Sequence, residues 1–144
     1  MRLKDRVAIV TGGGSGLGAG IAKRFAEEGA SVVLADINGD NAETVAEEIR
    51  KGQTKAIAHQ LDVTDYDAAG ALVARTVEEF GTVDILVNSA GTSKHMTFLD
   101  AEPSEFKQIM ADNLEGNRYR EQAVRRDFVR TSVDWCVNLT ELSR

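Results

Sequence analysis

The chain has 144 residues, 42% hydrophobic and 28% charged, which suits one globular domain able to bury about two-thirds of its unfolded surface. A net charge of −6 argues against a nucleic-acid partner, since phosphates would be repelled. Cys136 alone excludes an internal disulfide, His59 and His95 supply no metal-ligand spacing, and no apolar run reaches the roughly 18 residues of a membrane span; with no signal-peptide pattern, a cytoplasmic location without a membrane partner is expected.

Val7–Thr11 reads as a first strand, followed by a glycine-rich stretch and a helix with the stripe Leu17, Ile21, Phe25 and Ala26. Ser31–Asp36 is the second strand, and Ala42, Val45, Ala46 and Ile49 line a second helix. Lys55–Gln60 is a weaker third strand. Thr64 or Asp65 caps a third helix carrying Ala69, Leu72, Val73, Thr76 and Phe80, and Val83–Asn88 is the fourth strand. Gly29, Gly52 and Gly81 stand where these helices should end. Pro103 suits the first turn of a fourth helix, with Phe106, Ile109, Met110 and Leu114 as its buried face. From Asn117 the texture changes: every glycine and lysine lies before it, while the last 28 residues hold six of the 11 arginines. A stripe through Val124, Phe128, Thr131 and Trp135 persists, and Trp135–Leu139 reads as a fifth strand. Strands alternating with helices favour a parallel sheet covered by helices, with residues 1–144 as one domain and 117–144 as its divergent final helix and strand.

Residues 11–18 read T-G-x-x-x-G-x-G between a strand and a helix. Glycine permits a tight turn with positive φ and a close backbone approach, and the N-terminus of the following helix offers N–H groups to a pyrophosphate. Asp36 closes the second strand 24 residues after Gly12. A carboxylate there can accept hydrogen bonds from both ribose hydroxyls of NAD and would repel the 2′-phosphate of NADP. No arginine lies near Asp36 or within the loop, so NAD is expected in preference to NADP. The competing role for Asp36 is to cap the turn before Asn38-Gly39. An adenosylmethionine-dependent methyltransferase would also use a glycine turn and an acid after strand two.

Further motifs make the pattern specific. "TGGGSGLG" at 11–18, "LDV" at 61–63, "NSAG" at 88–91 and "NLEG" at 113–116 occur in order, and together they resemble the short-chain dehydrogenase/reductase family. "QAV" at 122–124 and "CVNLT" at 136–140 extend the resemblance, although Arg120, Glu121 and Arg126 enter a helix that is usually more apolar, and Glu141 falls near the place of the family's serine. The resemblance implies a doubly wound, Rossmann-like α/β fold with helices on both faces and strand order 3-2-1-4-5. It implies cofactor contacts from Gly12, Ser15, Gly16, Leu17 and Gly18, from Asp36 and Ile37, from Asp62 and Val63, and from Asn88, Ala90 and Gly91. It assigns Asn113 to the catalytic tetrad, and implies hydride transfer between a nicotinamide cofactor and an alcohol or ketone.

In that family a tyrosine, with a lysine four residues later, handles the proton. Here Tyr66 is followed by Gly70 at that distance and Tyr119 by Ala123, and the Tyr-x-x-x-Lys segment is expected to fall beyond Arg144. Lys94 and His95 read as loop residues bordering the substrate cleft. The expectation is a cofactor-binding portion of such an enzyme, truncated before its acid/base and inactive alone. The alternative is a non-catalytic NAD-binding or interaction module that self-associates or joins complete relatives.

Overall fold

A computed structural model describes residues 1–91, 102–131 and 135–139. Five strands, β1 (Val7–Thr11), β2 (Ser31–Asp36), β3 (Ala56–Gln60), β4 (Ile85–Asn88) and β5 (Trp135–Asn138), form one parallel sheet in the order β3-β2-β1-β4-β5. The expected strand order is the observed one.

The helices are α1 (Gly16–Glu27), α2 (Gly39–Lys51), α3 (Tyr66–Phe80), α4 (Pro103–Met110) and α5 (Gly116–Thr131). Strands buried on both faces read as continuous apolar runs, and successive side chains serve opposite layers. Ala8, Val10, Val32, Leu34, Ile85 and Val87 pack with the alanines of α1 and the apolar stripe of α2. Their neighbours Ile9, Val33, Ala35 and Leu86 pack on the other face with Leu72 and Val73 of α3 and Val124 of α5.

Three details refine the expected elements. In α1 the core face is Ala19, Ala22 and Ala26, with Ile21 and Phe25 at its margin, whereas Leu17 is exposed on the first turn. Small residues let this helix lie close to the sheet, so the bulkier stripe sits to one side. Asp65, not Thr64, caps α3, its carboxylate accepting from the N–H groups of Asp67 and Ala68. The α4 stripe is not buried: Phe106 is 63% and Leu114 58% exposed, because no described element packs over that face. In the tail stripe, Val124 is buried, while Trp135 belongs to β5 and is 67% exposed; the side chains of Phe128 and Thr131 lie outside the described residues.

Asp84 holds the bottom of the sheet. Its buried carboxylate accepts from the Val7 N–H at 2.8 Å and from Arg6 Nη1 at 3.0 Å. Arg6 is half exposed, so the ion pair itself contributes little, whereas an unpartnered buried N–H costs about 1–3 kcal/mol. Asp84→Ala is accordingly expected to lower the melting temperature by roughly 3–10 °C in a thermal scan followed by circular dichroism.

Candidate functional site

A cleft of about 530 Å³ opens along the carboxyl ends of the strands. In a doubly wound sheet that edge is where ligands bind, at the point where strand order reverses. Here β1 leads to β2 on one side and lies beside β4 on the other.

The turn between β1 and α1 forms one wall. Gly12 has φ of +65°, and a Cβ on it would stand 3.0 Å from the Ala90 backbone. Gly18 is tighter still, because a Cβ there would lie 2.1 Å from the Gly12 carbonyl oxygen. These two glycines let the turn fold flat beneath the start of α1. Gly16, with φ of +53°, meets nothing within 4 Å, which leaves the space beside it open to a ligand. Ser15 precedes α1 in extended backbone, makes no side-chain cap, and the first turn contains no acid. The first N–H groups of α1 are thus available to an anion.

Asp36, at the end of β2, forms the next part of the wall. One carboxylate oxygen accepts from the Gly14 N–H at 2.9 Å and the other from the Asn38 N–H at 3.0 Å. The capping role and the cleft-facing role expected as rivals therefore coexist: two hydrogen bonds fix the carboxylate, and its remaining lone pairs border the cleft. Past β3, Asp62 accepts from the N–H and hydroxyl of Thr64, at 2.9 and 2.7 Å. The Thr64 bonds hold its carboxyl below the usual carboxylate range.

At the end of β4, the buried Thr11 hydroxyl accepts from the N–H groups of Ser89 and Ala90, both at 3.2 Å, which anchors the turn to β1. The helix that follows widens into a π-helical turn over Ala111–Glu115 between α4 and α5. Such turns carry one extra residue and recur at functional sites. This one brings Asn113 Oδ1 to 2.6 Å from where a Gly91 Cβ would be, so glycine at 91 makes room for the amide.

Eleven of the twelve expected cofactor residues, together with Asn113, line this cleft. Asn88 does not: it is 1% exposed and lies beneath the floor. Its Oδ1 accepts from Arg120 Nε at 2.7 Å, and its amide donates to Asn138 Oδ1 at 2.7 Å. Asn138 in turn donates to Glu121 at 2.8 Å. Arg120 and Glu121, two of the charged residues that looked out of place in α5, therefore join a network beneath the site, while the Arg126 side chain lies outside the described residues. Leu61, Ser89, Asp112, Asn117 and Leu139 also line the cleft, although the motifs did not single them out. Ser89 sits inside "NSAG" and Leu61 inside "LDV", so motif neighbours carried a signal; Leu139 arrives only through the pairing of β5 with β4. Lys94, His95, Thr140 and Glu141 lie outside the described residues.

A parallel sheet with a glycine turn at its switch point and an acid closing the neighbouring strand defines a doubly wound fold of the dinucleotide-binding class. The profile of the family described as short chain dehydrogenase matches residues 6–139, and the chain belongs to that family. It is 40% identical over 114 residues to an uncharacterised oxidoreductase of Mycobacterium bovis, covering 79% of this chain and 46% of that protein. It is 38% identical over 122 residues to a trans-4-hydroxycyclohexanecarboxylate dehydrogenase of Sinomonas cyclohexanicum, covering 81% and 47%. Over 90 residues it is 50% identical to a 2,5-dichloro-2,5-cyclohexadiene-1,4-diol dehydrogenase of Sphingobium indicum, covering 62% and 36%. The chain thus spans about half, or less, of the length of these relatives. Among the described residues no helix is long and apolar enough to cross a membrane.

Proposed function

We propose that the chain forms the cofactor-binding half of an NAD-dependent dehydrogenase or reductase acting on an alcohol or ketone. The observation that carries this reading is Asp36, fixed by two backbone N–H groups at the edge of a cleft whose neighbouring wall is the N-terminus of α1. The residues fit a dinucleotide from end to end. Asp62 and Val63 would flank its adenine, Asp36 and Ile37 its adenosine ribose, and Ser15 to Gly18 its pyrophosphate. Ala90, Gly91 and Asn113 would border the nicotinamide end. When bound, the nicotinamide supplies or accepts hydride. The chain's own residues hold the dinucleotide, exclude water along the glycine turn, and reject a 2′-phosphate through the Asp36 carboxylate.

The proton is a separate matter. Tyr66 and Tyr119 pack edge to face with centroids 5.4 Å apart, neither lines the cleft, and neither has a lysine four residues on. On this reading the 144 residues alone bind and orient cofactor without transferring a proton to substrate. Two relatives are named as dehydrogenases of six-membered-ring alcohols, which supports a secondary alcohol or ketone as the substrate class of the complete enzyme.

Isothermal titration tests the proposal. NAD is expected to bind in the micromolar to low-millimolar range and NADP more weakly, with no ketone-dependent oxidation of NADH. Binding of neither dinucleotide would overturn it.

Exposed Phe106, Leu114 and Trp135 favour a second reading, a non-catalytic module that assembles with copies of itself or with complete relatives. Sedimentation of the purified chain is expected to show association at high concentration; a sharp monomer would count against this reading.

A further inference from the structure

Arg120 is the largest fully buried side chain of the described residues, at 1% exposure, and it forms no carboxylate ion pair among them. Its guanidinium is spread over three amide oxygens on three segments. Nε donates to Asn88 Oδ1 at 2.7 Å, Nη1 to the Val63 carbonyl at 3.4 Å, and Nη2 to Asn117 Oδ1. Gly116 completes the fit, since a Cβ there would lie 2.6 Å from the Val63 oxygen and 3.1 Å from Arg120 Nη1. Burial lowers its pKa to about 10, which leaves it charged at neutral pH, with support from nearby Glu121. Burying an unpaired charge is costly, and a well-packed apolar residue of similar volume is often as stable or more so. A residue kept there at such a cost should do something an apolar one cannot.

We infer that Arg120 is a positioning residue that sets the width of the cleft by tying its adenine-side wall, at Val63, to its floor, at Asn88. Asn88 ends β4 and precedes Ser89, Ala90 and Gly91; Val63 follows Asp62; all but Asn88 line the cleft. Only a planar fork can bridge these acceptors at once, because an ammonium is a point donor on a flexible stem. Val63 and Asn88 belong to segments with no other direct hydrogen bond to each other among the described residues, so the clamp is a local one.

The use of the cleft for a dinucleotide rests on the reading above, so the first test needs no ligand. Amide hydrogen exchange would be followed in the full chain and in Arg120→Met and Arg120→Lys. The N–H groups of Thr64, Ser89 and Ala90, each bonded to a side chain beside the clamp, report the two walls. Exchange there is expected to quicken at least tenfold in both variants, while amides of β2 keep their protection. Unchanged exchange at these three positions, restoration by lysine, or an equal rise throughout β1 and β2 would each overturn the clamp. ADP-ribose titration gives the functional counterpart, with an expected tenfold rise in Kd in both variants. If the unaltered chain bound no ADP-ribose, the cofactor reading would fall, and the exchange result would still decide the role of Arg120.

Discussion

Gly18→Ala is expected to weaken dinucleotide binding roughly 30- to 150-fold and to lower the melting temperature by roughly 3–10 °C. The added methyl would stand 2.1 Å from the Gly12 carbonyl oxygen and 2.7 Å from its carbon. Both are backbone atoms, so no side-chain rotation relieves the clash, and the turn must lift away from α1. Overpacking of this kind costs about 1–3 kcal/mol, and for a chain of this size each kilocalorie corresponds to roughly 3 °C. On the proposed reading binding suffers more than stability, because the displaced segment carries the N–H groups that would meet the pyrophosphate. Misplacing them at an energetic cost of about 2–3 kcal/mol corresponds to roughly 30- to 150-fold in Kd. The internal control is Gly20→Ala, which sits in the same helix with nothing within 4 Å. There the methyl is expected to stabilise by about 0.5–1 kcal/mol through helix propensity and to leave binding unchanged. Thermal melts and NAD titrations of the two variants side by side would separate the clash from any general intolerance of α1. Equal behaviour of the two would contradict the close approach of Gly12 and Gly18.

Asp36→Asn is expected to narrow or reverse the preference between NAD and NADP, and Asp36→Ala to abolish binding of both. Asparagine keeps one acceptor oxygen, enough for either the Gly14 or the Asn38 N–H, while removing the negative charge that, on the proposed reading, would repel a 2′-phosphate. Hydrogen bonds to a charged acceptor are worth about 1.5–3 kcal/mol each, so NAD should weaken roughly 10- to 100-fold in the asparagine variant. NADP, relieved of repulsion, should lose less or gain. Alanine leaves the Gly14 N–H without its partner and loosens the turn, so it should affect both cofactors and lower the melting temperature as well. Titration of each variant with both dinucleotides reads the two effects apart. An unchanged NAD:NADP ratio in Asp36→Asn would mean that the carboxylate serves the turn alone.

Legibility in the sequence followed locality. The glycine turn, Asp36 and the α2 stripe of Ala42, Val45, Ala46 and Ile49 are set by neighbours along the chain, and each sits where the spacing places it. The α1 stripe was displaced because periodicity favours bulk, whereas close helix–sheet approach selected Ala19, Ala22 and Ala26. The α4 stripe shows the opposite limit. An amphipathic pattern reports a helix, but not whether anything covers its apolar side, and Phe106 and Leu114 are exposed. In the site, Asn88 lies within the motif, yet its side chain sits beneath the cleft floor, since a strand-end side chain can face the cleft or the sheet interior. Arg120 could be flagged as out of place in an apolar helix, but its three acceptors come from positions 63, 88 and 117 and meet only after folding.

The wide turn at Ala111–Glu115 has a consequence for how this helix tolerates change in length. A residue added to or removed from an α-helix rotates everything beyond it by about 100°. A wide turn takes up its surplus residue locally, so deleting Ala111 would restore an ordinary turn and leave Arg120 and Val124 facing inward, whereas a deletion in the regular part of α5 would turn them away. The same deletion in the exposed turn at Gly52–Thr54 would rotate nothing, because the chain there runs from a helix end into a strand whose direction its pairing with β2 dictates. The single surplus residue at 111–115 is thus like slack gathered at one point of a drive belt: it is taken up where it lies, and the side chains beneath the cleft keep their settings.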